Sequence, residues 1–210
     1  MKTDEKEVLF KNSRQTLQGM YFQRASDSAA LVCHPHPLMG GSMDNNVVEA
    51  IQKTFSGQGL STLRFNFRGV GKSTGVYDEG RGERDDITAA CDFLAAQGVQ
   101  KIFLAGYSFG AWVCHHWLKE NREHLEGVIM ISPPDKYFRF DWNGFAHDIG
   151  LIVCGDEDPF CDLENLMRRA RNLSATFALV AGADHFYSGN EGDLGKILMK
   201  FYLEKNEKKA

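Results

Sequence analysis

The sequence predicts one α/β domain over residues 1–210, a mostly parallel sheet of about seven or eight strands flanked by helices. Three observations predict it. The chain has 210 residues, close to the length of a single domain. Short apolar runs recur along it and are continuous rather than alternating, which marks strands buried on both faces. Between most of these runs lie segments whose apolar residues repeat at helical spacing, the alternation that builds a parallel sheet.

The elements follow in order. Residues 6–24 alternate apolar and polar side chains and read as an antiparallel hairpin at one edge of the sheet. Ala29 to Cys33 is the first buried strand, and Asn45 to Ser56 the first helix, with Val47, Val48, Ile51 and Phe55 on one side and Gly57 as the stop. Ser61 to Phe67 is a strand. Glu83 to Ala96 is a helix carrying Ile87, Ala90, Cys91 and Leu94 together. Lys101 to Ala105, Gly127 to Ile131, Leu151 to Cys154 and Thr176 to Val180 are strands. Phe109 to Lys119, Leu163 to Asn172 and Gly192 to Glu204 are helices, and the charged tail 205–210 is expected to fray.

Composition excludes several function classes. Lys and Arg number 24 against 28 Asp and Glu, and a net charge of -4 disfavours binding to a phosphate backbone. No apolar run approaches the roughly 18 residues of a membrane span. Met1 to Glu7 is too acidic for a signal peptide. The five cysteines have no CxxC spacing, and four sit among apolar neighbours, as expected of buried thiols in a reducing cytoplasm.

In a parallel sheet, ligands bind outside the carboxyl ends of the strands, so chemistry is sought in the residues just after each one. After the strand ending at Ala105 comes Gly106-Tyr107-Ser108-Phe109-Gly110 and then a helix. This is the G-x-S-x-G elbow in strand–turn–helix context, which projects a serine hydroxyl from a turn too tight for side chains two residues away. A serine needs a base, and the base needs an orienting carboxylate, in the chain order Ser, acid, His. His185 follows the strand ending at Val180 and is the base chosen from seven histidines. The acid lies in Asp156-Glu157-Asp158; Pro159 biases Asp158 toward an extended conformation, so Asp158 is preferred and Asp156 is second. Asp184 reads as a turn former.

An oxyanion needs two donors. Phe109, first residue of a helix, supplies one N–H. The second is sought in His34-Pro35-His36-Pro37-Leu38-Met39-Gly40-Gly41, at Leu38 as the first N–H after Pro37, with Met39 as the alternative. The two histidines of this loop are crowded and have no second ligand cluster, which disfavours metal. Asn66 to Ser73 resembles a phosphate loop, but loop rather than helix follows it, so nucleotide binding is disfavoured. Arg64 and Arg68 are expected to pair with carboxylates such as Asp85 or Asp86.

Taken together, these residues resemble the α/β-hydrolase superfamily over about residues 20–203. His34-Pro35-His36-Pro37 with Gly40-Gly41, Arg64 to Ser73 and the Gly106 to Gly110 elbow are similar to a compact, carboxylesterase-like subgroup related to dienelactone hydrolase. The resemblance implies Ser108, Asp158 and His185 as catalytic residues, Phe109 and Leu38 as oxyanion donors, and no cofactor or metal. It implies a cytoplasmic serine hydrolase acting on small-molecule esters of small or exposed acyl groups, without nucleic acid or membrane partners and with a homo-oligomer left open. A peptidase, a thioesterase and a non-catalytic binding scaffold are the alternatives. Residues 132–148, where relatives insert a lid, can wall a pocket but are too few for a full cap.

Overall fold

The computed structural model describes residues 5–207. An eight-stranded sheet runs in the order β1-β2-β4-β3-β5-β6-β7-β8. β1 (Lys6–Lys11) and β2 (Thr16–Phe22) form the expected antiparallel edge hairpin, and β2 pairs antiparallel with β4 (Ser61–Phe65). From there the sheet is parallel through β3 (Ser28–Cys33), β5 (Lys101–Tyr107), β6 (Leu125–Ile131), β7 (Ile149–Gly155) and β8 (Thr176–Val180).

Among the described residues, five α-helices cover the two faces because the strands are apolar on both. α1 (Asn46–Gly57) and α5 (Glu191–Glu207) pack on one side through Val47, Ile51, Phe55, Leu194 and Leu198. α2 (Arg81–Ala96), α3 (Phe109–Trp117) and α4 (Leu163–Leu173) pack on the other through Ile87, Leu94, Val113, Leu166 and Leu173. Each such side chain contributes about 1.5–3 kcal/mol of burial. Asn45 caps α1, its side chain accepting from Val47 N at 2.9 Å. α5 continues through Glu207, while 208–210, the end of the tail expected to fray, lie outside the described residues.

β4 stops two residues earlier than the apolar run suggests. Asn66 N donates to Gln18 O at 2.8 Å, and the Asn66 side chain reaches Gln18 and Met43, turning the chain off the sheet. The phosphate-loop lookalike is consequently a packed turn, its Lys72 held by Glu7 at 2.6 Å and α2 starting only at Arg81. Arg68 pairs with buried Asp86 at 2.8 Å, as expected. Arg64 does not pair with Asp85 or Asp86; it pairs with Glu5 at 2.9 Å and Asp44 at 2.7 Å, because β4 presents it on the side where the β1 and β3 loops lie. The 132–148 connection is split. Trp142 and Phe145 are buried in the core, whereas Tyr137 is 69% exposed. No helix among the described residues is long and apolar enough to cross a membrane.

Candidate active site

Ser108 is the whole turn between β5 and α3. Its φ of 54° and ψ of -117° place a non-glycine residue in strained backbone, at about 1–3 kcal/mol. The strain is held on both sides. Ser108 N donates to Ile131 O at 2.9 Å, and Ser108 O accepts from Ala111 N at 3.0 Å. The flanking glycines are required by close backbone approach rather than by positive φ. A Cβ on Gly106 would lie 2.6 Å from Ala111 N, and one on Gly110 would overlap Cys33 O.

Two strands away, β7 ends at Gly155, where a Cβ would overlap Ala183 O. That contact lets the loop after β7 meet the loop after β8. Glu157 N donates to Ala183 O at 3.0 Å, fixing the two loops side by side. Asp158 and His185 face each other as a result. His185 Nδ1 lies 2.8 Å from Asp158 Oδ2 and 3.0 Å from Oδ1, and His185 Nε2 lies 2.9 Å from Ser108 Oγ. A carboxylate only accepts, so Nδ1 carries the proton; in the neutral ring Nε2 then accepts from the Ser108 hydroxyl.

Asp156, the second choice for the acid, lies elsewhere. Its Oδ1 accepts from Gly182 N at 2.7 Å and braces the β8 loop. Asp184 accepts from Phe186 N at 2.8 Å and Tyr187 N at 3.1 Å, the turn-forming role expected of it.

Electrostatics follow from burial and pairing. Burial alone would raise the Asp158 carboxyl, but hydrogen bonds from His185, Ser132 and Phe160 N outweigh it and hold the group below the usual carboxylate range. Burial alone would lower His185, yet the Asp158 hydrogen bond, helped by Cys161, raises it to about 9. Cys161 was not singled out from sequence. Its Sγ lies 3.4 Å from Asp158 Oδ2 and 3.3 Å from Pro133 O. Asp158, Cys161 and His185 could in principle gather a metal ion. The thiol, however, is pushed far up by its Cys154 contact and by burial, so it stays protonated and a poor ligand.

The oxyanion side departs from expectation. Leu38 N donates to His36 Nδ1 at 3.2 Å and Met39 N to His36 O at 3.0 Å, so both anticipated donors are used inside the 3₁₀ turn Pro37–Met39. Leu38 is 72% exposed and does not line the cleft beside Ser108. His36 does, and among the described residues its N–H has no hydrogen-bond partner. Phe109 N–H, first in α3, has no intrahelical acceptor. The signal was present in the sequence: Pro35 and Pro37 lack N–H groups, and His36 between them is the residue that has one. His34, by contrast, is structural. Its Nδ1 contacts Pro35 O at 2.6 Å, its Nε2 accepts from Phe67 N at 3.0 Å, and burial lowers it to about 4.

Ser108 and His185 open onto a cleft of about 470 Å³ walled by aromatic rings. With that geometry in view, the comparisons with known proteins decide the family. The serine aminopeptidase S33 family matches residues 28–139. An uncharacterized protein of Rickettsia prowazekii is 33% identical over 211 residues, covering 94% of this chain and 88% of its own. The chain belongs to the α/β-hydrolase superfamily. Among solved structures, an α/β serine hydrolase homologue from Coxiella burnetii is 33% identical, with a TM-score of 0.80 over 95% of this hydrolase and 98% of that chain. A lidless α/β serine hydrolase from Xanthomonas campestris is 28% identical, with a TM-score of 0.82 over 97% of this chain and 96% of its own. This hydrolase shares that lidless build: its 132–148 connection is a loop with Pro134, Tyr137 and Phe138 beside the cleft and Trp142 and Phe145 in the core, and it adds no separate layer.

Proposed function

We propose that this α/β hydrolase is a serine carboxylesterase acting through Ser108, His185 and Asp158. The observation that carries the reading is the continuous row from Asp158 Oδ2 through His185 to Ser108 Oγ, ending at the floor of an open cleft. Ser108 Oγ attacks the ester carbon while His185 Nε2 takes its proton. Asp158 holds the ring tautomer and stabilises the imidazolium. The oxyanion is met by Phe109 N–H and by His36 N–H in place of Leu38, a donor of this kind being worth about 3–4 kcal/mol. His185 then protonates the leaving alcohol, and water repeats the sequence on the acyl-enzyme. The open cleft suits small or solvent-presented acyl groups, and the four buried thiols fit the reducing cytoplasm as its compartment.

The description of the matching family favours a second reading, a peptidase with the same nucleophile. A fluorophosphonate probe and matched short esters, thioesters and amides test both. The carboxylesterase reading expects labelling at Ser108, turnover of esters ahead of amides, and loss of both activity and labelling in Ser108→Ala. Full activity in Ser108→Ala overturns it, and preferential amide turnover favours the peptidase.

A further inference from the structure

The walls of the cleft say what kind of ester fits, given the esterase reading on which this rests. Among the described residues, no Lys, Arg, Asp or Glu lines the cleft. Three charged side chains on its bounding loops are engaged elsewhere. Lys136 Nζ donates to Pro159 O at 3.1 Å; Asp135 accepts from Asp162 N and Asn165 Nδ2, each at 2.7 Å; Asp44 is paired with Arg64. His36 is uncharged, because its Nδ1 accepts from Leu38 N and burial lowers it.

The reaction geometry divides the cleft in two. His185 Nε2 must return its proton to the leaving oxygen, so the alcohol lies on the His185 side. The rings there are Phe160, 4.4 Å from the imidazole centroid, and Phe186, at 5.7 Å, with Tyr137 5.3 Å from Phe160. The carbonyl oxygen points to the Phe109 and His36 N–H groups, so the acyl group runs along the opposite wall. Phe138 stands there, 6.0 Å from Phe109 and 6.3 Å from His36. With His185 neutral, as the reaction requires, an ammonium or carboxylate buried on either half would lose water without gaining a partner.

We infer that the substrate is an uncharged ester with an apolar acyl group against Phe138 and an apolar, aryl-bearing alcohol against Phe160 and Phe186, and that cationic and free-carboxylate substrates are rejected. The test uses three sets of esters at pH 9, where about half of His185 is neutral. Benzyl esters of acetate, butyrate and 3-phenylpropionate vary the acyl group. Methyl, benzyl and naphthylmethyl butyrates vary the alcohol. Benzyl esters of 4-(trimethylammonio)butyric acid and of succinic acid (as the half ester) add a permanent charge to a matched neutral partner.

Neutral esters are expected to exceed their charged partners by about tenfold or more in kcat/KM, the effect of one uncompensated interaction of about 1.4 kcal/mol. Phe186→Ala, at a side chain 56% exposed and so safe for folding, should lose preference among alcohols while keeping the acyl ranking. Phe138→Ala, with Phe138→Leu as the milder variant, should flatten the acyl series and keep the alcohol ranking. Equal turnover of charged and neutral esters, or the reverse pattern in the two variants, overturns the inference while Ser108 still labels with fluorophosphonate. Absence of both labelling and ester turnover removes the esterase reading and this inference with it.

Discussion

Tyr107 donates its hydroxyl to the carbonyl oxygen of His185 at 2.8 Å, joining the last residue of β5 to the candidate base 78 positions later in the chain. The contact is buried, and the two rings lie 5.7 Å apart. Ser108 and His185 are thereby fixed to one another through backbone as well as through their own hydrogen bond. Tyr107 is a positioning residue in this arrangement. Tyr107→Phe leaves the His185 carbonyl without its partner, at about 1–3 kcal/mol. We expect a lower melting temperature and a several-fold fall in kcat with KM little changed; a purely structural role would lower the melt and leave kcat intact.

With His185 as the proposed base, its raised pKa should make activity depend on alkaline pH. The base is competent only when neutral, so kcat/KM for a neutral ester should rise along a limb above the ordinary value of 6.5 and level off beyond about 9. Asp158→Asn removes the interaction that raises it, moves the limb downward and lowers the plateau by roughly 10³–10⁴. Stability runs the opposite way. A folded-state pKa above the unfolded one contributes fully below about 6.5 and is lost as pH rises through about 9. The melting temperature of the parent protein relative to His185→Gln should therefore decline over that interval, and a flat difference would contradict it.

Gly110 is required by space. Its missing Cβ is where Cys33 O lies, so Gly110→Ala must separate the start of α3 from the loop carrying His36. Overpacking of this kind costs about 1–3 kcal/mol. Activity should fall further than stability, since Phe109 N–H and His36 N–H move apart. Thermal melts beside kcat for one short ester check this, and full activity at a lowered melt would contradict it.

The Arg68–Asp86 pair is a fold determinant away from the chemistry. Asp86 is fully buried and accepts from Arg68 N, the Arg68 guanidinium and Asn12 Nδ2. Asp86→Ala leaves the buried guanidinium only its long 3.9 Å contact with the exposed Asp85, and loss of the buried partner costs about 3–5 kcal/mol. Denaturant unfolding should show that loss, with kcat per folded molecule unchanged.

Much of this molecule is legible in the sequence. The continuous apolar runs gave the strands and the 3.6-residue spacing the helices, because both reflect short-range geometry and burial. The Gly106 to Gly110 elbow and the order of Ser108, Asp158 and His185 could be read for the same reason: each sits just after a strand, where a local pattern fixes the backbone. Tertiary structure decided which of several neighbouring polar groups faced which partner. Asp158 meets His185, while Asp156 turns to Gly182 N, only because Gly155 lets Ala183 come close. Leu38 N–H is taken by the ring of His36 two residues earlier, and Arg64 finds Glu5 59 residues away. Adjacent residues share nearly the same local propensities, so the direction in which each polar group points is set by contacts from segments distant in the chain.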